Sequence, residues 1–259
     1  MPTEPRRLFD AHLHIIDPRF PLVGNQGYLP AAFTVADYRQ RLHGTELAGG
    51  AVVSGSFQAF DQDYLVDALA RLGPGFVGVT QLPAGVSDAR LLELHRAGVR
   101  ALRFNPRRGG SEGLLQLDRM ARRVHELVGW HVELYADAAD LAPLRPVLAA
   151  LPALSVDHLG LTKAGLPTLL ALVERGVRVK ATGFGRVDFD VAPALRELCA
   201  INPDAVMFGT DLPSTRAAQP YTHADRELVI DTLGPALAAK VLCDNALAWY
   251  RVQHDEVRP

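Results

Sequence analysis

The sequence is poor in the features that mark secreted, membrane or nucleic-acid-binding proteins. Its 259 residues include two cysteines, Cys199 and Cys243, which excludes a disulfide framework and the CxxC pairs of a zinc ribbon. No run of about 18 apolar residues occurs, and no apolar segment follows Arg6 and Arg7 as in a signal peptide. We therefore expect a cytoplasmic protein with no membrane partner.

The chain also has little excess of charge. It contains 27 Lys and Arg residues against 29 Asp and Glu residues, a formal net charge of -2. Such a balance produces no extended positive field, so we expect no nucleic-acid partner. Because hydrophobic residues make up 48% and charged residues 22% of the chain, the composition excludes disorder. We expect a monomer or a small homo-oligomer.

Short apolar segments alternate along the chain with longer segments of helical periodicity. The predicted strands are Leu8–His12, Ala51–Ser54, Phe76–Thr80, Val99–Phe104, Trp130–Tyr135, Leu154–Asp157, Val177–Ala181 and Ala205–Phe208. The predicted helices are Thr34–Gly44, Asp61–Leu72, Asp88–Ala97, Gly113–Leu127, Ala138–Ala150, Gly165–Glu174, Val191–Ile201, Arg226–Leu233 and Pro235–Tyr250. Glycines before several strands are expected to end the preceding helices, and they are Gly49, Gly50, Gly75, Gly98, Gly129 and Gly176.

Eight strand–helix units in one chain of this length predict a single domain over residues 1–259, a (β/α)8 TIM barrel of the α/β class. A doubly wound open sheet is the alternative. The first predicted strand is not followed by GxGxxG, which disfavours the dinucleotide-binding form of that alternative.

Titratable side chains cluster at the predicted strand ends, where barrels carry their chemistry. His12 and His14 form an H-x-H at strand 1, His158 ends strand 6, and Asp211 follows strand 8. Each alone has a structural explanation: hydrogen-bonded rim histidines, or an aspartate that caps a turn. Together they predict one site. The period of two places Asp10 on the same side as the H-x-H pair.

Two further expectations concern neighbouring charges. Asp157 precedes His158 directly, so the two should point to opposite faces, and we assign His158 to the site. Arg103 and Lys180 lie on predicted strands, where an unpaired charge is unfavourable. Each pairs either with a buried carboxylate, Glu133 or Asp157, or with a carboxylate of the substrate.

Arginines in the loops that follow the strands predict a small anionic substrate, because a guanidinium binds a carboxylate through two hydrogen bonds. Three such arginines are Arg107, Arg108 and Arg186.

Seven segments in order resemble the amidohydrolase superfamily, and within it the branch of TIM-barrel hydrolases that contains the pyrone-dicarboxylate lactonases. The segments are FDAHLHIID, VRALRFNPRRG, WHVELYADAADL, ALPALSVDHLG, RVKATGFGRV, VMFGTDLP and CDNALAWY. The resemblance implies that Asp211 deprotonates the attacking water beside His12, His14 and His158. It also implies that Tyr28, Arg103, Arg186 and one of the pair Arg107 and Arg108 contact the substrate.

The chain departs from that pattern at two places. Strand 5 ends in Glu133–Tyr135 where metal-dependent relatives carry a histidine, and strand 4 carries Arg103 rather than a lysine that could be carboxylated. We therefore expect no metal cofactor, with Tyr135 and Lys180 as substrate contacts. The alternative is one divalent ion, Zn or Mn, held by His12, His14, His158 and Asp211. The lactonases also carry an arginine after the D-H motif, and here Lys163 is the nearest cation.

The resulting hypothesis is a hydrolase that opens a carboxylated lactone. Asp211 activates the water and the three histidines donate hydrogen bonds to the developing oxyanion. One alternative is a metal-dependent amidohydrolase or a decarboxylase, a lyase of the same superfamily, that acts on a small carboxylic acid. Another is a barrel that serves as a binding scaffold, which the intact histidine and aspartate set disfavours.

Overall fold

The structure is a computed structural model that describes residues 7–252, and it confirms the predicted barrel. Eight parallel strands follow one another in chain order around a single sheet. They are β1 Arg7–Leu13, β2 Glu46–Val53, β3 Phe76–Thr80, β4 Val99–Phe104, β5 His131–Leu134, β6 Leu154–Val156, β7 Arg178–Thr182 and β8 Val206–Gly209. Sequential order excludes the doubly wound alternative, whose strand order reverses at a switch point.

Helices follow the strands and cover the outside of the sheet. They are α1 Val35–Arg41, α2 Asp63–Leu72, α3 Asp88–Arg96, α4 Leu117–Val128, α5 Arg145–Ala149, α6 Leu166–Val173, α7 Val191–Ile201, α8 His223–Ala239 and α9 Asn245–Tyr250. Within the described residues, no helix is long and apolar enough to cross a membrane.

The barrel closes where the end of β8 meets β1. The backbone N–H of Asp211 donates to the carbonyl of His12 at 2.8 Å, and His14 donates to Leu212 at 2.7 Å. Gly209 permits this approach, because a Cβ there would lie 2.6 Å from the backbone nitrogen of His12. The closure places Asp211 beside His12, and both are predicted site residues.

The interior of the barrel is divided between apolar and charged side chains. Phe9, Ala51, Val77 and Met207 form an apolar cluster that Tyr250 of α9 also joins. Several polar interior residues come from the strands on the other side, β4 to β7, and all are buried: Arg103, His131, Glu133, Ser155 and Lys180.

The structure corrects several details of the predicted elements. Gly49 and Gly50 lie inside β2, which begins at Glu46, and Gly49 allows close packing because a Cβ there would meet the carbonyl oxygen of Gly75 at 1.9 Å. The helix expected over residues 138–150 is a 3-10 turn followed by the short α5, since two prolines interrupt the sequence. Glycines 98, 129 and 176 do follow helices with positive φ, as expected, whereas α2 is ended by Gly73 rather than by Gly75.

Candidate active site

A β-bulge in β1 aims the first two site residues. The register between β1 and β2 shifts between Asp10 and Leu13. As a result His12 and His14 face the barrel mouth, whereas Asp10 points outward and accepts a hydrogen bond from Tyr38 of α1 at 3.1 Å. The expectation that Asp10 shares their side is therefore wrong, because a bulge inserts a residue and breaks the period of two.

Asp10 instead secures the seam of the barrel. Its two carboxylate oxygens accept from the backbone N–H of Thr210 at 2.8 Å and from the Thr210 hydroxyl at 2.7 Å. Burial raises the pKa of Asp10 to about 6 despite these bonds. The residue thus fixes the segment that presents Asp211.

The four residues predicted to form the site converge at the barrel mouth. Asp211 Oδ1 lies 4.0 Å from His12 Nε2 and 3.7 Å from His14 Nε2. The rings of His12 and His158 are 4.8 Å apart between centroids. All four side chains are buried.

Asp157 also faces this site, contrary to the expectation from strand alternation. Its Oδ1 lies 3.7 Å from His12 Nδ1. Strand β6 ends at Val156, and His158 has a φ of 51°, so the alternation stops before the two residues in question. Both side chains can therefore point inward.

The hydrogen bonds of the histidines define which nitrogen carries a proton. His14 Nδ1 lies 2.7 Å from the carbonyl of Val53, and His158 Nδ1 lies 3.3 Å from the carbonyl of Thr182. Because a carbonyl only accepts, each Nδ1 is the donor, and each ring, when neutral, presents Nε2 as an acceptor. Both nitrogens of His12 lack a hydrogen-bond partner, so its tautomer is not fixed.

Electrostatics keep the aspartate ionised and keep His12 and His158 neutral. Burial raises the pKa of Asp211, but the opposing effects of its neighbours, the Arg186 guanidinium foremost, together outweigh it, so the pKa lies below its ordinary value. Arg186 Nε donates to Asp211 Oδ2 at 2.7 Å. Burial lowers the pKa of His158 to about 4 and that of His12 well below its ordinary value. The carboxylate is thus available as a base whose Oδ1 is free.

A layer of paired charges lies beneath the site. Lys180 contacts Glu133, and Arg103 Nη2 donates to Asp157 Oδ2 at 2.9 Å. These are the buried ion pairs that the sequence offered as one of two explanations for the strand cations. Lys180 is fully buried and its ammonium is already paired with Glu133, so the substrate contact expected of it is not supported.

Two adjoining cavities open at the mouth, and three of the four residues border the inner one. The inner one, of about 30 Å³, is bordered by His14, His158 and Asp211 as well as by Arg103. The outer one, of about 260 Å³, lies toward solvent. Four side chains border both cavities: Arg108, Tyr135, Arg186 and Arg216.

The expected substrate contacts are distributed unevenly around these cavities. Arg107 borders only the outer cavity, and Tyr28 borders neither but packs its ring under the guanidinium of Arg216 at 4.4 Å. Arg216 was not among the residues that the sequence predicted for the site. Its position in the loop after β8, on the rim that carries the chemistry, is the signal that could have identified it.

Buried ligand atoms at this site could hold a metal ion. His12, His158 and Asp211 place one nitrogen or oxygen each within 4.8 Å of one another. Histidines that bind metals usually donate their second ring nitrogen to a carbonyl or carboxylate, as His14 and His158 do here. The donor set therefore fits a divalent cation.

Known proteins resemble this chain over almost its whole length. The amidohydrolase family model matches residues 9–252. The chain is 31% identical to a 2-pyrone-4,6-dicarboxylate hydrolase of Comamonas testosteroni, covering 95% of this chain and 90% of the relative. It is 27% identical to a 4-sulfomuconolactone hydrolase of Rhizobium radiobacter, covering 93% and 89%.

A solved structure agrees with these matches. A protein of Pseudomonas putida, provisionally named a 2-pyrone-4,6-dicarboxylic acid hydrolase, superposes with a TM-score of 0.81 at 26% identity, covering 96% of this chain and 98% of that one. Together with the histidine and aspartate geometry, these likenesses establish that the chain belongs to the amidohydrolase family of hydrolytic enzymes.

Proposed function

We propose that this protein hydrolyses the lactone ring of a small carboxylated substrate, with Asp211 as the base that activates water. The observation that carries the proposal is the free Oδ1 of Asp211, which is buried among His12, His14 and His158 below an arginine-lined mouth. Two curated relatives named for the hydrolysis of anionic lactones support the substrate class.

In the first step, the water oxygen attacks the carbonyl carbon of the lactone and its proton passes to Asp211 Oδ1. The pKa of Asp211 lies below the ordinary range, so the carboxylate is ionised at neutral pH but is weakly basic. A substrate carboxylate that takes hydrogen bonds from Arg186 would draw this guanidinium away from Asp211 Oδ2 and strengthen the base. Substrate binding and base activation are then coupled through one arginine.

In the second step, the tetrahedral oxyanion collapses, the ring C–O bond breaks, and the leaving oxygen takes the proton from Asp211. His12 borders neither cavity in the free protein, but neither of its nitrogens is committed to a carbonyl, so it is the histidine that can donate to the oxyanion once substrate is bound. His14 and His158 present acceptor nitrogens in their neutral form and so orient the water. Of the three histidines expected to donate to the oxyanion, only His12 keeps that role in this proposal.

We further propose that the reaction needs no metal. Arg186 Nη2 already lies 2.6 Å from Asp211 Oδ2, and a guanidinium there repels a divalent ion. The alternative is an ion held by His12, His158 and Asp211. The contacts of His14 Nδ1 and His158 Nδ1 with backbone carbonyls favour this alternative, because histidines that bind metals usually make such contacts. Such an ion would polarise the carbonyl and lower the pKa of its water.

The test is a panel of lactones with and without ring carboxylates, followed by chromatography of the opened acids. We expect ring opening of the carboxylated members alone. Release of carbon dioxide from a carboxylated substrate without ring opening would instead identify a decarboxylase, and turnover of no lactone would refute the proposal.

A further inference from the structure

Two cations at the mouth share one neutral acceptor. Arg108 Nη1 and Arg216 Nη1 both donate to Gln26 Oε1, at 3.4 and 3.2 Å. In the part of the chain that the structure describes, the contacts of these guanidiniums are amide oxygens and the Tyr28 ring rather than carboxylates. An amide oxygen compensates two like charges poorly, so this pair is arranged for a stronger acceptor.

The position of Arg216 is fixed by the loop that follows β1. Asn25 and Tyr28 exchange backbone hydrogen bonds of 2.9 and 3.0 Å and form a tight turn. Arg216 donates to the carbonyl of Asn25 and stacks on Tyr28, and its own backbone has a φ of 60°. A non-glycine residue in this left-handed region is unfavourable and is retained where surrounding contacts impose it.

The outer cavity beside this pair is strongly cationic. Four arginines border it against one aspartate, Asp188, whose Oδ1 already accepts from the backbone of Lys163 at 2.6 Å. The bordering arginines are Arg107, Arg108, Arg186 and Arg216. The inner cavity holds little more than one water molecule, so part of a ring-sized substrate must occupy the outer cavity.

We propose that Arg216 and Arg108 form a subsite for a second anionic group of the substrate, and that Gln26 Oε1 occupies this subsite in the free protein. The inference rests on the proposed function, in which the lactone carbonyl and a first carboxylate bind near Asp211 and Arg186. A carboxylate or sulfonate offers charged oxygens that bridge both guanidiniums and displace the amide. Arg216 is therefore a specificity-determining residue for substrates with two anionic groups.

Two substitutions at Gln26 should act in opposite directions. Gln26→Glu places a tethered carboxylate between the arginines, which competes with the ligand and weakens its binding. Gln26→Ala removes the competing amide and tightens binding. A residue with a merely structural role would weaken binding in both variants.

The experiment uses the intact protein and a pair of unreactive probes, benzene-1,3-dicarboxylate and benzoate, with dissociation constants measured by calorimetry. We expect Arg216→Gln to weaken the diacid about tenfold or more, as for the loss of one charged hydrogen bond, and to leave benzoate unchanged. Arg119→Gln is the matched control, because Arg119 also donates to a glutamine Oε1, that of Gln116, away from both cavities.

Three results would overturn the inference: equal weakening of both probes by Arg216→Gln, no weakening of the diacid, or no binding of the diacid to the unaltered protein. Arg216→Lys, which keeps the charge but loses the planar fork, serves if Arg216→Gln does not fold, with an intermediate loss expected. Because the assay needs no turnover, selective loss of the diacid in a protein that opens no lactone would refute the lactonase proposal alone.

Discussion

The barrel interior contains two layers of ionisable side chains that differ in whether their polar atoms have hydrogen-bond partners. In the lower layer, Glu133 accepts hydrogen bonds from Lys180, from His131 at 3.1 Å and from Tyr250 at 2.5 Å. In the upper layer, Asp211 Oδ1 and both nitrogens of His12 have no hydrogen-bond partner. Burial is complete in both, so exposure does not explain the difference.

This difference distinguishes residues that stabilise the fold from residues that take part in the reaction. A buried charge is tolerated when its hydrogen bonds are satisfied, which the lower layer achieves. Unsatisfied buried atoms are unfavourable and call for a reason, and a substrate or a reacting water supplies one in the upper layer. Asp157 joins the layers: its Oδ2 accepts from Arg103 at 2.9 Å, while its Oδ1 faces His12.

The largest effect is expected in the upper layer. Asp211→Asn should lower kcat by about 10²- to 10⁴-fold, because the amide cannot take the proton of the water. Thermal unfolding should change little, since the variant keeps the shape of the side chain. Asp140→Asn in an exposed loop is the matched control and should retain full activity. Wild-type turnover by the Asp211 variant would remove the base from the mechanism.

Substitutions in the lower layer should decrease the free energy of unfolding. Lys180→Met leaves the Glu133 carboxylate buried without its cation and should decrease the free energy of unfolding by about 3–5 kcal/mol. Adding Glu133→Gln should recover part of that loss because no unpaired charge then remains. Denaturant titrations measure both variants. If the double variant proved as unstable as the single one, charge pairing would not be what stabilises this layer.

Smaller losses of stability are expected when either of two buried tyrosine hydroxyls is removed, one bonded to a charged acceptor and one to a neutral acceptor. Tyr250→Phe removes the hydrogen bond to Glu133, and we expect a loss of about 1.5–3 kcal/mol in the free energy of unfolding. Tyr64→Phe removes a buried bond to the Ser54 hydroxyl and should lose about 0.5–1.5 kcal/mol. Equal losses would show that the charge of the acceptor is unimportant here.

No effect is expected from chelation, and none from pH over the neutral range. The pKa of His158 is about 4 and that of Asp211 lies lower than usual, so both groups are already deprotonated above about pH 5.5. Activity falls only when the pH drops through these values and the base becomes protonated. We expect kcat/KM to stay constant to about pH 8, whereas a metal-bound water with a pKa of about 7 would give a rising limb. Activity lost with chelation and restored by added zinc would establish the metal mechanism.

The sequence predicted the barrel because its strands are covered on both faces. Apolar runs such as Ala51–Val53 and Val206–Phe208, spaced by helical segments, are typical of parallel strands in an α/β fold. Barrel geometry then brings the strand ends to one rim, which predicts that His12, His14, His158 and Asp211 lie together. These inferences need only local periodicity and chain order.

What the sequence could not supply depends on breaks in local regularity and on contacts between distant loops. The bulge that turns Asp10 outward arises from the pairing of β1 with β2, and the inward Asp157 from the end of β6. Arg216 meets Gln26 across 190 positions of the chain. Periodicity carries no information about such encounters, because they are set by how the closed barrel packs its loops.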